Sequence, residues 1–504
     1  MNTPAANTLD LRLIGRTFLG HAPVWYKQLV VGFLVGNIAL YLTLGPLVTG
    51  WAMLAEFIFT LALSLKCYPL QPGGLLALQA ILLGLTDTQS VFKEVEHGLP
   101  VLLLVIFMVA GVNFLRQAMF RVINHVLLTI HSRIALNFTT LVVVAIHSAF
   151  FDALTILAVL VAVITGFYEV YHRVVSTAGY HDDPDPLDQH VDEIHRQDLG
   201  AFRAFLRGLI MHGAIGTAIG GVCTLVGEPE NIIVGTEMGW DFMQFLRHVS
   251  PATVPTLLAG FLTCLVIEKT RSFGYGTDLP AGVRRILEEE DRKHLAQGTA
   301  RDRLVIIIQA IVGLLMVSAI AFHLAEIFLI GLGVIILVSA FTGEIEEHRI
   351  AHAFLPGLPF AALLIVFYVI VAVINQQAMF KPVIAWVMTL APQSQIFAIF
   401  VTNGMLSAIS DNVFVAAIYM AELRRAFEGG LITQQLFNAQ AVAVVMGTGI
   451  PSMATPNGQA AFLFLLTSQL APLIRLGYGR MIWMALPYTI VTTLVAGASM
   501  FWIL

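Results

Sequence analysis

Long apolar runs alternate with short charged segments along almost the whole chain. A run of about 20 mostly apolar residues can span a bilayer as a helix. The pattern predicts eleven spans, at residues 26–44, 49–66, 73–86, 99–115, 205–235, 251–267, 304–322, 325–342, 356–375, 438–468 and 481–503. Two further pairs of apolar pieces, 134–150 with 153–171 and 394–409 with 412–423, meet at Asp152 and Asp411. We predict that each pair is a re-entrant hairpin in an all-α polytopic membrane protein.

Composition agrees with lipid as the solvent. Of 504 residues, 58% are hydrophobic and 12% charged, whereas soluble domains carry about 25% charged residues. The mean hydropathy is +0.83. The three cysteines, Cys67, Cys223 and Cys264, lie within or beside apolar runs and suggest neither a disulfide framework nor a metal site. We expect membrane lipid around the chain and no nucleic-acid partner.

The charged segments orient the chain. The most basic segment, 269–303, holds eight Lys and Arg residues, and the positive-inside rule places it in the cytoplasm together with the N-terminus. The same count leaves Arg424 and Arg425 outside, which is a poor fit. A hydrophilic segment from His172 to about Ala204 is rich in Asp and His. The spacing of its histidines matches no zinc signature, so we expect a solvated acidic loop.

A pattern recurs between the two halves. Residues 148–152 (SAFFD) match 407–411 (SAISD) at an offset of 411 − 152 = 259. Residues 216–219 (GTAI) match 447–450 (GTGI) at an offset of 447 − 216 = 231, and the match continues to Thr224 and Thr455. A Pro/Asn pair follows in each half, Pro229 with Asn231 and Pro456 with Asn457.

We interpret these matches as two inverted repeats. An odd number of predicted crossings separates the hairpins, so the repeats have opposite orientations. Inverted repeats with interrupted helices at corresponding positions are typical of secondary transporters. We expect N-terminal scaffold helices in 1–133, a first transport unit in 134–267, a cytoplasmic loop in 268–303, further scaffold helices in 304–393 and a second transport unit in 394–504.

The two aspartates are the leading candidates for an ion site. A charged Asp at the bilayer centre costs at least ~2.5–3.5 kcal/mol, so such residues face a protein interior or a wet cavity and are functional by default. Desolvation raises the pKa of a carboxyl group. A carboxyl group poised near physiological pH can hold a proton or Na⁺, but hardly both, and this competition is sufficient for exchange. We therefore assign Asp152 and Asp411 to Na⁺ and proton binding, with no resident cofactor.

Oxygen and backbone groups near these aspartates are further candidates. Half-helix ends leave carbonyls and amides unpaired, and glycine and proline permit unwound backbone. The predicted additional ion-binding residues are Ser148, Thr217, Thr224, Glu228, Asn231, Ser407, Ser410, Asn412, Thr448, Thr455 and Asn457. Glu228 either joins the site or lines its vestibule together with Glu230.

Three other ionisable residues are weaker candidates. Glu56 and Glu326 lie in apolar runs without a partner in the other half, which favours packing or pairing roles. His147 adjoins the first motif and could carry protons, although a lone histidine of this kind is more often structural.

Several motifs resemble one family closely. They are residues 55–62 (AEFIFTLA), 148–155 (SAFFDALT), 226–231 (VGEPEN), 410–416 (SDNVFVA) and 454–471. These runs are similar to the NhaB Na⁺/H⁺ antiporters of bacterial inner membranes, within the ion transporter superfamily. The resemblance implies electrogenic export of Na⁺ and Li⁺ driven by proton entry, and a homodimer with a scaffold domain and an elevator-type transport domain. Glu230 departs from the neutral Gln expected there.

Three rival functions have distinct signatures. A Na⁺-coupled dicarboxylate symporter on the same fold is the nearest, but two aspartates would repel a dianion, and no arginine lies in either motif. An intramembrane aspartyl protease would need Tyr-Asp and Gly-x-Gly-Asp sequences, which neither aspartate has. A passive channel would not explain titratable groups in both halves.

Overall fold

The structure is a computed structural model that describes residues 17–64, 66–151, 153–175, 193–297, 299–322, 324–355, 357–379, 382, 386–387, 389–409 and 412–502. Among these residues there are helices and turns but no strand. The chain divides into two compact units, Met1–His97 with Ala362–Phe380, and Gly98–Ala361 with Lys381–Leu504. The predicted domain boundaries remain predictions.

Helices account for most of both units. The first unit contains α1 (Val24–Leu44), α2 (Pro46–Ala62), α3 (Leu70–Leu82) and α4 (Thr88–His97). The next helices are α5 (Leu99–Phe114), α6 (Arg116–Thr129), α7 (Arg133–Ser148), α8 (Ala153–Val175), α9 (Glu193–Gly221), α10 (Pro229–Met238), α11 (Phe242–Thr270), α12 (Ala281–Gln297), α13 (Ala300–Ala321), α14 (Ile327–Thr342) and α15 (Glu347–Phe354). The last are α16 (Leu358–Gln376), mostly in the first unit, and α17 (Pro392–Ser407), α18 (Asn412–Glu428), α19 (Gln434–Gly449), α20 (Ala460–Thr467), α21 (Leu470–Leu473) and α22 (Tyr478–Ser499).

Apolar helices long enough to cross a bilayer confirm a polytopic membrane protein. Six described stretches qualify by length and composition: Val24–Leu44, Ala153–His172, Phe242–Thr270, Ala300–Ala321, Gln434–Ala454 and Tyr478–Trp502. Shorter apolar helices include Pro46–Ala62, Arg133–Ser148 and Ile327–Thr342. Leu42 and Leu82 are 77% and 85% exposed, as expected for side chains that face lipid. The count of eleven crossings and the two re-entrant hairpins stay predictions.

Two hydrophilic segments contain more helix than expected. The prediction of a loop up to Ala204 was wrong, because α9 begins at Glu193 and buries Leu199, Phe202 and Leu206. These residues recur at helical spacing among charged ones, so average hydropathy concealed them. The basic segment likewise includes α12, which buries Val283 and Leu287 one turn apart. Residues 176–192 lie outside the described residues.

Buried and partly buried polar groups join helices within the first unit. The Asn37 amide nitrogen donates to Glu56 Oε2 at 2.6 Å and to Gln79 Oε1 at 3.2 Å. Asn375 of α16 donates to Glu94 Oε1 at 2.6 Å. Burying a carboxylate is tolerated when hydrogen bonds satisfy it. The pairing role predicted for Glu56 is therefore confirmed, while Glu326 lies just before the first residue of α14.

Candidate functional site

Two helices are interrupted where glycine and proline predicted a break. In the first half α9 ends at Gly221 and α10 begins at Pro229. In the second half α19 ends at Gly449, a short 3₁₀ helix covers Pro451–Ala454, and α20 begins at Ala460. The unwound segments leave backbone carbonyls and amides that no helix pairs. Both segments lie in the second unit and supply the polar backbone that an ion site needs.

The first break is bound to the end of α7. Ser148 is the last residue of α7, and its hydroxyl donates to the Thr217 carbonyl at 2.9 Å. The Thr224 hydroxyl, within the break, donates to the Ala149 carbonyl. A Cβ at Gly227 would lie 2.7 Å from the Ser148 carbonyl, so only glycine permits this approach. These contacts hold the break beside the residues that lead to Asp152.

The second break repeats these contacts on the end of α17. The Thr455 hydroxyl donates to the Ala408 carbonyl at 2.5 Å. A Cβ at Gly458 would lie 2.6 Å from the Ser407 carbonyl. The contacting residues of the two halves differ by 455 − 224 = 231 on the broken helices and by 408 − 149 = 259 on the preceding helices. These are the offsets found in the sequence.

The paired helices approach closely in both halves. Gly216 and Gly447 occupy the same side of the crossing and face the carbonyls of Leu141 and Phe400, but at the neighbouring contact the glycine changes sides. In the first half Gly220 of α9 lies against the Ala145 carbonyl of α7, where any Cβ would clash. In the second half the glycine is Gly404 of α17, and a Cβ there would lie 2.7 Å from Pro451 Cγ. Small residues at such crossings let helix backbones approach closely in membranes. The crossing itself is therefore shared by the two halves.

A side-chain amide closes each break. Asn231 donates to the carbonyls of Gly221 at 2.9 Å and Thr224 at 2.7 Å. In the second half Gln459 takes this role, donating to the Gly449 carbonyl and the Ser452 hydroxyl, both at 2.9 Å. The correspondence of the two Pro/Asn pairs stays a prediction, although this bridging hydrogen bond is made by Gln459. Gln459 lies ten residues after Gly449, as Asn231 does after Gly221, and that spacing could have identified it.

Some of the other predicted residues lie in the described part of the chain and some do not. Thr217 and Thr448 donate to carbonyls of their own helices, Ala214 at 2.7 Å and Val444 at 2.8 Å. Ser407 is fully buried, and its hydroxyl has no hydrogen-bond partner among the described residues, whereas Asn457 is half-buried. Three predicted residues, Asp152, Ser410 and Asp411, lie outside the described part of the chain. Their neighbours Ala153 and Asn412 are the first residues of α8 and α18.

Two glutamates lie at the end of the first break, where α10 begins. Glu228 is the residue before α10, is 6% exposed and packs against Gly221, whose added Cβ would lie 2.8 Å from Glu228 Oε1. Glu230 is 2% exposed and accepts a hydrogen bond of 3.0 Å from Asn412 Nδ2. The same amide lies 3.5 Å from Ser452 Oγ. Glu230 therefore connects the first broken helix to the start of α18.

A second buried cluster was missed by the sequence analysis. Glu268 of α11 is fully buried. Its carboxylate accepts a hydrogen bond of 3.0 Å from Arg133 Nε and lies 3.0 Å from His212 Nε2. The other ring nitrogen of His212 lies 2.8 Å from the Tyr488 hydroxyl. Arg133 also donates to Asp278 at 3.1 Å. No local motif marks these residues, because they lie far apart in the chain.

His147 has a structural environment. Its Nδ1 lies 2.7 Å from the Val143 carbonyl one turn earlier, and its ring stacks on Phe151 with centroids 6.0 Å apart. Both contacts are local to the end of α7. They agree with the structural role that was preferred for this residue.

These features define a class of protein. Apolar helices long enough to span a bilayer, together with two interrupted helices lined with buried amides and hydroxyls, are the features of polytopic membrane transport proteins. The family model described as "Bacterial Na+/H+ antiporter B (NhaB)" matches residues 8–504, and the chain belongs to this family. The resemblance seen in the motifs is thus confirmed.

Individual relatives agree over nearly their whole length. A Na(+)/H(+) antiporter NhaB of Saccharophagus degradans is 54% identical over 475 residues, covering 94% of this chain and 95% of the relative. Proteins of the same name from Pseudomonas putida (strain F1) and Hahella chejuensis are each 51% identical over 475 residues, with the same coverage. The relatives are named as transporters rather than enzymes, and they give no support to the dicarboxylate symporter considered above.

Proposed function

We propose that this chain exchanges Na⁺ for H⁺ across a bacterial inner membrane. The observation that carries the proposal is family membership over residues 8–504, together with relatives about half identical to this chain that bear the name Na⁺/H⁺ antiporter. Cytoplasmic Na⁺, and Li⁺ in its place, leaves as external H⁺ enters, with net movement of charge. This activity lowers cytoplasmic sodium and contributes to pH homeostasis.

Asp152 and Asp411 are the proposed exchange groups. Support comes from their sequence neighbours, since Ser148, Ala149, Ser407 and Ala408 all contact the interrupted helices. Unwound carbonyls at such breaks coordinate Na⁺ in secondary transporters. A carboxylate there binds either Na⁺ or H⁺, so loading one ion expels the other.

The proposed architecture is a pair of inverted repeats in an elevator-type transporter. Its support is the recurrence of the same contacts at offsets of 231 on the broken helices and 259 on the preceding helices. In this proposal residues 134–267 and 394–504 form the transport domain and residues 1–133 and 304–393 the scaffold. The N-terminus and residues 268–303 are cytoplasmic, and the protein is a homodimer.

Proton flux in proteoliposomes tests the proposal. The wild type, Asp152→Asn and Asp411→Asn are reconstituted with a pH dye inside, and Na⁺ or Li⁺ is added outside. Asp87→Asn is the matched control, because Asp87 is an exposed loop residue. Its carboxylate accepts a hydrogen bond of 2.8 Å from the Ser90 backbone amide, and an Asn side chain accepts such a bond equally well.

We expect Na⁺ to drive proton flux in the wild type and in Asp87→Asn. Both membrane variants should fall to the rate of empty liposomes, since an amide cannot exchange a proton for Na⁺. Loss in one variant only would assign the coupled site to that half. A wild type that ignores Na⁺, or that takes up labelled succinate with Na⁺, would refute the proposal.

A further inference from the structure

One hydrogen bond crosses between the two halves at the candidate site. Glu230 belongs to the broken helix of the first half, whereas Asn412 begins α18 in the second. The Asn412 amide donates to Glu230 Oε1 at 3.0 Å, and the two residues are 7% and 2% exposed. Asn412 is joined by one peptide bond to Asp411. The carboxylate of Glu230 therefore lies at the start of the second hairpin's outgoing helix.

This link has no counterpart in the opposite half. The offset of 231 that relates Gly227 to Gly458 places Ala461 at the position of Glu230 (230 + 231), and the offset of 259 places Ala153 at that of Asn412 (412 − 259). Counting back from the bridging amides Asn231 and Gln459 gives Gly458 instead, which also has no carboxylate. Both alanines are 2% exposed. Neither can supply a carboxylate or an amide. Within the described part of the chain the two half-sites are thus chemically unequal, because only the second receives an acidic side chain from the other half.

One oxygen atom that suits a cation belongs to the amide that contacts this carboxylate. Asn412 Oδ1, on the same amide that contacts Glu230, is buried and has no hydrogen-bond partner among the described residues. Buried polar atoms are normally paired. Asn412 Oδ1 shares its unpaired state with the amide oxygens of Asn231 and Asn403, and among these it is the one whose amide donates to Glu230. An amide oxygen can bind a cation but cannot donate to an anion. The arrangement therefore favours a cation over an anionic substrate.

Few other charged groups face Glu230. Of the helices packed on α10, α5 and α19 contain no acidic or basic residue. The charged residues of α18 are Glu422, Arg424, Arg425 and Glu428, about 15 Å or more along the helix from Asn412. They are paired with one another or with Glu237. Of the described residues on its own segment, Glu228 is the ionisable one that lies closest to Glu230 in the chain.

We propose that Glu230 is a cation-binding residue of the second half-site, held in place by Asn412. This inference rests on the proposed Na⁺/H⁺ exchange and names a third carboxylate for it. Na⁺ and H⁺ compete for Glu230 because either one neutralises its charge. Glu230 therefore sets the apparent affinity for Na⁺ and the dependence of that affinity on pH.

The test measures the KM for Na⁺ in proteoliposomes over a series of pH values. The variants are Glu230→Gln, which keeps the size and loses the charge, and Glu230→Asp, which keeps the charge. Glu237→Gln is the matched control, because Glu237 lies on the same helix and contacts the same partner helix through Arg424 at 2.8 Å. Purified proteins are also unfolded thermally with and without Na⁺, since a bound ion raises the midpoint.

We expect Glu230→Gln to raise the KM for Na⁺ about tenfold, equivalent to 1.4 kcal/mol, with a smaller change in maximal rate. Its KM should vary less with pH, and Na⁺ should stabilise it less than the wild type. Glu230→Asp should lie between the two, and Glu237→Gln should match the wild type in KM and pH dependence.

Two results would overturn the inference. One is that Glu230→Gln shows the same KM for Na⁺ and the same dependence of this KM on pH as the wild type. The other is an equal change in Glu237→Gln, which would indicate packing of α10 rather than ion binding. If Glu230→Gln does not fold, Glu230→Asp and Asn412→Ala decide, and a wild-type KM in both refutes the role. A wild type without Na⁺-driven proton flux would instead refute the proposed function itself.

Discussion

Replacing Arg133 by alanine removes the only arginine that contacts the buried carboxylate of Glu268 among the described residues. Arg133 donates to Glu268 Oε2 and to the Glu268 carbonyl, both at 3.0 Å, and to the Gly276 carbonyl at 2.8 Å. The substitution therefore leaves a buried charge with His212 as its remaining partner and two carbonyls without a donor.

The expected loss of stability is large because the pair is shielded from solvent. The side chains of Arg133 and Glu268 are 11% and 0% exposed. Removing one partner of a buried ion pair costs roughly 3–5 kcal/mol. The neighbouring pair of Arg271 and Asp278 is 64% and 62% exposed, and exposed pairs contribute only about 0–1 kcal/mol. Arg271→Ala is thus the matched control.

Unfolding of the purified protein in detergent, by increasing the mole fraction of a denaturing detergent, gives the free energy of unfolding. We expect Arg133→Ala to lose about 3–5 kcal/mol relative to the wild type, and Arg271→Ala no more than about 1 kcal/mol. Adding Glu268→Gln to Arg133→Ala should restore part of the loss, because the buried charge is then absent.

The double-mutant cycle separates the pair from other contacts of Arg133. If Arg133→Ala lies within about 1 kcal/mol of Arg271→Ala, the pair does not stabilise the fold as argued. If Glu268→Gln adds to the loss instead of reducing it, the carboxylate has a favourable role that does not depend on Arg133.

Two further predictions concern the breaks. Gly220→Ala places a methyl group against the Ala145 carbonyl and should cost about 1–3 kcal/mol or more, seen as less folded protein in size-exclusion chromatography. Gly166→Ala, with nothing within 4 Å of the added carbon, should be at least as stable as the wild type. Asn231→Ala and Gln459→Ala should each lower the unfolding midpoint and the exchange rate, because each leaves buried acceptors unpaired at about 1–3 kcal/mol; wild-type behaviour of either would contradict its bridging role.

Much of the candidate site follows from the sequence because the repeats are local. The matches around Ser148 and Ser407, and around Thr224 and Thr455, correspond to equivalent contacts in the structure. Matching residue types did not identify the amide that bridges the second break. Asn457 resembles Asn231 in type, but Gln459 makes the equivalent hydrogen bonds. Either amide can bridge a break, so position along the chain decides and residue identity does not.

Other features depend on contacts between distant segments. Glu268 contacts Arg133 and His212, which lie 135 and 56 residues away in the sequence. Contacts over such separations leave no periodic pattern in the sequence. The bond between Asn412 and Glu230 joins residues 182 apart. Average hydropathy also concealed the start of α9, since the charged and polar residues of 193–203 outweigh Leu199 and Phe202. Helical spacing, rather than mean polarity, would have located that start.

The close crossing of α7 and α9 limits how these two helices can move. Gly216 and Gly220 face the carbonyls of Leu141 and Ala145, one turn apart on each helix. A slide by one turn, about 5.4 Å, would bring the Leu141 carbonyl against His212, whose ring is already engaged on both sides. The crossing therefore opposes a one-turn slide in this direction. We therefore expect α7 and α9 to move together in the proposed transport cycle, which cross-linking of the two helices without loss of exchange would test.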